Sequence, residues 1–110
     1  MIEYDVNITD EALEDMESIY QYIAYDLLSP ETALGQYERI AAKVLKLEIL
    51  ANRYQIIDSE PWLSLGLRRL SVDNFSIFYV IRESSVYVTD VLYNGADIDS
   101  RLKVFIKFNK

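Results

Sequence analysis

The sequence contains no cysteine and no histidine. The first absence rules out disulfides and zinc sites built on thiolates. The second removes the commonest general base, so any acid–base chemistry falls to carboxylates, lysine, tyrosine or arginine. Long apolar runs are missing too: none approaches the ~20 residues that span a bilayer. The opening residues, Met1-Ile2-Glu3-Tyr4-Asp5, lack the basic region and the continuous apolar stretch of a signal peptide. The expectation is a soluble, cytoplasmic protein with no membrane partner, no metal and no cofactor.

Positive charge is absent from residues 1–38, which hold ten acids and no Lys or Arg. Residues 39–110 hold eight acids and all eleven bases, a net of +3 within a chain of net −7. Such a split reads either as a solvated acidic helix face or as a polar partner surface. Either way the molecule suits non-specific nucleic-acid binding poorly, because that depends on neutralising phosphates. The 110 residues fit one domain, 1–110, with a core that needs no staples.

The hydrophobic pattern sets the order of elements. In residues 3–8, Tyr4, Val6 and Ile8 alternate with polar residues, as in a half-buried strand. Thr9 suits an N-cap, and Ala12, Leu13, Met16, Ile19, Tyr20, Ile23 and Leu27 then recur in steps of three and four, predicting a helix over 10–27. Ser29-Pro30 restarts a helix, with serine as the cap and proline in the first turn. Ala33, Tyr37, Ile40, Val44, Leu47 and Ala51 form its narrow apolar seam, and Gly35 offers a place for close approach. The short connection predicts a helical hairpin.

Residues 53–65 read as a linker without a clear period, in which Trp62 packs on the core. Three strands follow at about 66–72, 75–82 and 86–93, with Asp73-Asn74 as a tight turn. Both faces of the middle strand are largely apolar, which makes it central. Residues 97–107 are expected to form a short last helix. The order β-α-α-β-β-β defines an α+β fold, with a helical hairpin packed on one face of a small antiparallel sheet.

This order, the first-helix stretch "ITDEALEDMESIYQYIA" and above all "EPWLSLGLRRLSVDNFSIFYVI" followed by "VTDVLYNGADI" resemble the RelE/ParE superfamily, the toxins of type II toxin–antitoxin modules, also known as plasmid stabilisation proteins. The resemblance covers nearly the whole chain and is strongest over 60–98. It implies a partner antitoxin whose C-terminal segment wraps the toxin. It also implies one of two activities: poisoning of DNA gyrase, as in ParE-like members, or mRNA cleavage on the ribosome, as in RelE-like ones. Open sheet edges add a homodimer or a toxin–antitoxin heterotetramer as the assemblies to expect.

RNA cleavage needs a base for the 2′-hydroxyl, cations for the phosphorane and a donor for the leaving oxygen. The resemblance implies that Arg, Lys and Tyr side chains supply these. The candidates here are Arg69, Arg68, Arg53 and Tyr93, with Lys103 or Lys107 as further phosphate contacts. Tyr79 and Tyr87 are donors in principle, though Tyr79 reads as core. Several cations of the pattern are missing: Leu63 and Leu65 stand where relatives carry Arg, Ser76 replaces the Arg of an aromatic-Arg pair, and Ala96 replaces another. Strand alternation places Arg68 and Arg69 on opposite faces. Arg69 is then the site arginine, and Arg68 is expected to pair with a carboxylate of the acidic half. The ranking that follows is a toxin acting on a protein target such as gyrase. A ribosome-dependent endoribonuclease, or a member that retains only antitoxin binding, are the alternatives, so an enzymatic role stays open.

Overall fold

A computed structural model describes residues 2–102 of the chain. Strand β1 (Asp5–Ile8) ends where Thr9 caps helix α1 (Asp10–Gln21). The Thr9 hydroxyl oxygen accepts the Ala12 N–H at 3.2 Å and donates to the Val88 carbonyl at 2.9 Å. One side chain thus starts the helix and ties it to the sheet. Asp10 and Glu11 occupy the first turn, where the helix dipole favours negative charge.

The α geometry stops at Gln21 rather than at residue 27. Tyr22–Asp26 is a π turn, and Leu28 adopts a left-handed φ of 54°. The wider turn brings the consecutive residues Ile23 and Ala24 inward against Ala33. Helix α2 (Pro30–Leu45) starts at the expected Ser29-Pro30. The Ser29 hydroxyl nevertheless donates to the Leu27 carbonyl at 3.2 Å instead of capping the helix. The seam continues through α3 (Leu47–Leu50) into a 3₁₀ turn at Ala51–Arg53. Ala33, Ile40, Val44, Leu47 and Ala51 are all buried. Tyr37 meets Tyr20 edge-on, 6.2 Å between ring centres. Gly35 marks no close helix contact: an added Cβ would meet only the Arg39 guanidinium, at 3.2 Å.

The linker carries structure of its own. Helix α4 (Trp62–Leu65) ends on Gly66, whose φ of 76° is the left-handed cap that glycine adopts without strain. Trp62 is buried, as its sequence reading holds, and its Nε1–H donates to Asp99 Oδ1 at 2.9 Å. Strands β2 (Arg68–Val72), β3 (Phe75–Arg82) and β4 (Ser85–Tyr93) form an antiparallel meander. Helix α5 (Ile98–Arg101) follows; the rest of the predicted 97–107 helix lies outside the described residues.

The sheet order is β1-β4-β3-β2, and β1 runs parallel to β4. The α+β architecture stands as read, but the sheet is mixed rather than wholly antiparallel. The helical hairpin returns the chain to the end where β1 began. β2 therefore runs in the direction of β1, and two reversals later so does β4.

Each face of the sheet has its own core. On the hairpin face, Leu70, Val72, Ile77, Tyr79, Val86, Val88 and Val91 pack against Ala12, Met16, Ile40, Val44 and Leu47. On the far face, Phe78 and Val80 pack with Leu67, Trp62 and Leu102. β3 faces apolar material on both sides, as its central position requires. A bulge at Thr89 shifts the register: Phe78 pairs with Asp90, and Tyr79 with Val88.

Candidate functional site

The register of β2, β3 and β4 aligns Arg69, Phe78 and Asp90 in one row on the far face. Arg69 is half-buried, and two contacts fix its guanidinium, one of them through a side chain that is itself anchored. Its Nε–H donates to Ser76 Oγ at 2.9 Å, and Ser76 Oγ donates to Asn94 Oδ1 at 2.6 Å. Its Cζ lies 5.5 Å from the centre of the Phe78 ring, within reach of a cation–π attraction. Ser76, where the resemblance implied an arginine, is 1 % exposed, so its hydroxyl is a buried orienting group for Arg69. The arrangement presents the outer edge of one guanidinium, suited to a single anion contact.

The other sequence candidates do not gather around it. Arg68 points to the hairpin side, where its Nη1 donates to the Tyr54 carbonyl at 2.5 Å. The expected carboxylate partner is thus replaced by a backbone carbonyl, because Tyr54 runs beside the start of β2 and lies closer than any acid. Arg53 is exposed on the 3₁₀ turn, and among the described residues no hydrogen bond joins it to Arg69. Tyr93 is 60 % exposed and sits edge-on to Phe75 at 5.9 Å, on the hairpin side of the row. Tyr79 is fully buried, and its hydroxyl donates to the Ala51 carbonyl at 2.6 Å. Burial pushes its pKa well above the usual phenol value, so it offers no ready proton. Tyr87 packs against the far core. Leu63 is exposed on α4, Leu65 lies against the far core, and Lys103 and Lys107 fall outside the described residues.

Sequence reasoning missed Asp90. It is 3 % exposed, and its Oδ2 makes no hydrogen bond. Burial pushes its pKa up to about 6; a hydrogen bond from the Thr89 side chain opposes this, while Asp15 and Glu11 add to it. Arg69 does not neutralise it, because the two stand two strand spacings apart, ~10 Å, with Phe78 between them. Asp15 is also raised by burial, although its Oδ2 accepts the Val91 N–H at 3.0 Å. That bond has a topological cause: β1 pairs with β4 only as far as Val88, and Asp15 takes up a donor beyond that point. The signal for Asp90 was an acid inside the apolar run Val86 to Leu92. The Thr89 bulge, invisible in a single strand, is what aligns it with Phe78.

The ion pair among the described residues lies elsewhere. Arg39 Nε–H donates to Asp73 Oδ2 at 2.8 Å, and Gln36 adds a bond of 3.0 Å. These bonds, Arg39's first, hold the Asp73 carboxyl below the usual range. Among the described residues no group of three His, Cys, Asp or Glu could hold a metal ion. No described helix is long and apolar enough to cross a membrane.

Three comparisons bear on this geometry. The family model for the ParE toxin of the type II toxin–antitoxin system parDE matches residues 6–97. No curated protein matches the chain. Among solved structures, a chain of the chromosomal ParDE toxin–antitoxin system of P. aeruginosa superposes with a TM-score of 0.69 at 24 % identity. The match covers 83 % of this chain and 96 % of that one. A chain of the toxin–antitoxin complex RelBE2 of Mycobacterium tuberculosis gives a TM-score of 0.60 at 14 % identity, covering 84 % and 99 %. These structural likenesses establish the fold.

Proposed function

The chain belongs to the ParE family of type II toxin–antitoxin toxins, and on that premise we propose that it arrests growth by binding a protein target, DNA gyrase, and is neutralised by a small antitoxin. The observation that carries this reading is that, among the described residues, Arg69 is the one cation held by the Ser76–Asn94 pair; Arg82, four residues on from Phe78 on the same face of β3, donates instead to the Leu65 carbonyl at 3.1 Å. Cleavage of RNA requires several cations around one phosphate, a base and a proton donor. On the far face, Ser76 and Asn94 stand beside Arg69, neither of which supplies charge. Arg68 points to the other face, and the Tyr79 hydroxyl is buried and bonded. Each missing charge-assisted contact removes roughly 1.5–3 kcal/mol of stabilisation. A protein target needs a complementary surface rather than an assembled catalytic set, so these losses weigh little against it.

The net charge of −7 argues the same way, since association with ribosomal RNA depends on positive potential. The solved ParDE and RelBE2 relatives are toxin–antitoxin systems, which supports an antitoxin as the partner here.

The test is a supercoiling assay with purified gyrase and the purified chain. Inhibition that the cognate antitoxin relieves is the expected result. An uninhibited gyrase in the presence of folded chain contradicts the target. If cells expressing it also grow normally, the chain retains antitoxin binding without toxicity.

A further inference from the structure

We propose that the unpaired end of the β2 edge, together with the basic side of α2, is a docking groove for an extended acidic segment of a partner protein. The outer edge of β2 is only partly covered. The Ile57 N–H donates to the Leu67 carbonyl at 2.9 Å, and the Arg69 N–H to the Gln55 carbonyl at 3.3 Å. An isolated bridge joins Ile56 to Arg68 between them. Those bonds show that odd-numbered residues of β2 direct their backbone groups away from β3, as antiparallel pairing alternates them.

The covering segment leaves the edge at Tyr54, because residues 51–53 turn as a 3₁₀ helix. Beyond that point the Arg69 carbonyl and both backbone groups of Ser71 face outward, and Ser71 is exposed. An edge of this kind is a template for another strand.

Beside this free edge lies a groove of about 390 Å³. Arg39, Lys43 and Lys46 line one wall, and Ser71 and Val72 the other, with Ala42 between; Asp73 also lines it, its carboxylate bonded to Arg39. Steps of four and three place Arg39 and Lys43 of α2 and its C-cap residue Lys46 on one side, ~6 and ~4.5 Å apart along the helix axis. Side chains on one face of an extended strand recur every ~6.6 Å. Carboxylates at alternate positions of a docked strand therefore come close to the Arg39–Lys43 step, while the step to Lys46 is ~2 Å shorter than the repeat and is bridged by the long lysine side chain.

Arg39 already has Asp73, but Lys43 and Lys46 have no carboxylate within salt-bridge distance among the described residues. In a chain of net −7, this concentration of base beside an open edge selects an acidic occupant. A second copy of the chain is disfavoured. Pairing β2 with β2 about a two-fold axis would bring the same lysines together from both sides.

The experiment titrates the chain alone with a fluorescein-labelled peptide, Glu-Val-Glu-Val-Glu-Val, and with its Lys-Val counterpart. It reads the groove whether or not the gyrase or antitoxin reading holds. Expected results are saturable binding of the acidic peptide, at least about tenfold weaker binding of the basic one, and weakening as salt rises. The double variant Lys43→Glu, Lys46→Glu should lose at least about tenfold in affinity.

Ser71→Pro removes the outward donor at an edge position where proline is tolerated, and should weaken binding comparably. Protection of the Ser71 amide from hydrogen exchange in the wild-type complex reports the same bond without a substitution. The proposal is overturned by any of four results: no binding up to about 1 mM peptide, equal binding of both peptides, an unprotected Ser71 amide, or displacement of the peptide by dimerisation of the chain. Binding of inorganic polyphosphate that equals the peptide's and ignores Ser71→Pro also overturns it, because the lysines would then be a general anion site.

Discussion

The two faces of the sheet are made from the same strands but are filled differently. On the hairpin face, two helices lay a continuous apolar seam over β2, β3 and β4, and the buried Tyr79 hydroxyl there is bonded to Ala51. The far face has a smaller core around Trp62, Leu67, Phe78, Val80 and Leu102, interrupted by Ser76, Arg69 and Asp90. One face is organised for stability. The other retains polar groups that contribute little to stability, and Asp90 even opposes it.

The contrast can be broken from the hairpin side. Leu47→Ala removes a fully buried side chain at the helix–sheet contact and should cost about 2–5 kcal/mol of stability in urea unfolding.

On the far face the sign reverses. Asp90 in the folded chain has its pKa near 6, above its ordinary value. The folded state therefore binds the proton more tightly than the unfolded state. The resulting stabilisation is complete below about pH 4 and is lost as pH rises through about 6. Asp90→Asn should accordingly raise stability by about 1–3 kcal/mol above pH 7 and flatten the decline between pH 4 and 6. Urea midpoints across that range check both statements.

Two smaller changes sharpen the comparison. Tyr79→Phe leaves the buried Ala51 carbonyl without its donor and should cost about 1–2 kcal/mol. Ser76→Ala frees Arg69 from its orienting bond. It should cost about 1 kcal/mol or less by thermal unfolding, since the guanidinium retains water and the Phe78 ring.

The main architecture was legible in the sequence because it rests on local periodicity. β3 is observed at the residues predicted for it, 75–82, since alternation with apolar side chains on both faces marks a central strand. The seam from Ala33 to Ala51 is buried as predicted except at Tyr37, which is half-buried. Alternation also separated Arg68 from Arg69. What the sequence did not reveal depends on register and on backbone atoms. The parallel pairing of β1 follows from where the helical hairpin delivers the chain. The Tyr54 carbonyl that holds Arg68 has no signature in side-chain chemistry. The bulge at Thr89, and with it the alignment of Asp90 with Phe78, exists only between two strands. The 53–65 linker appeared featureless because its order comes from contacts with β2, such as Ile57 with Leu67, rather than from its own period.

We propose that the described residues of the far face do not assemble a ribonuclease site. Mapping mRNA 5′ ends in cells expressing the wild-type chain, beside cells expressing Arg69→Gln, tests it most directly. The account predicts growth arrest with no new codon-linked ends, and a pattern that the substitution leaves unchanged. New ends that appear with the wild type and vanish with Arg69→Gln would contradict it, since a single oriented guanidinium would then suffice for cleavage.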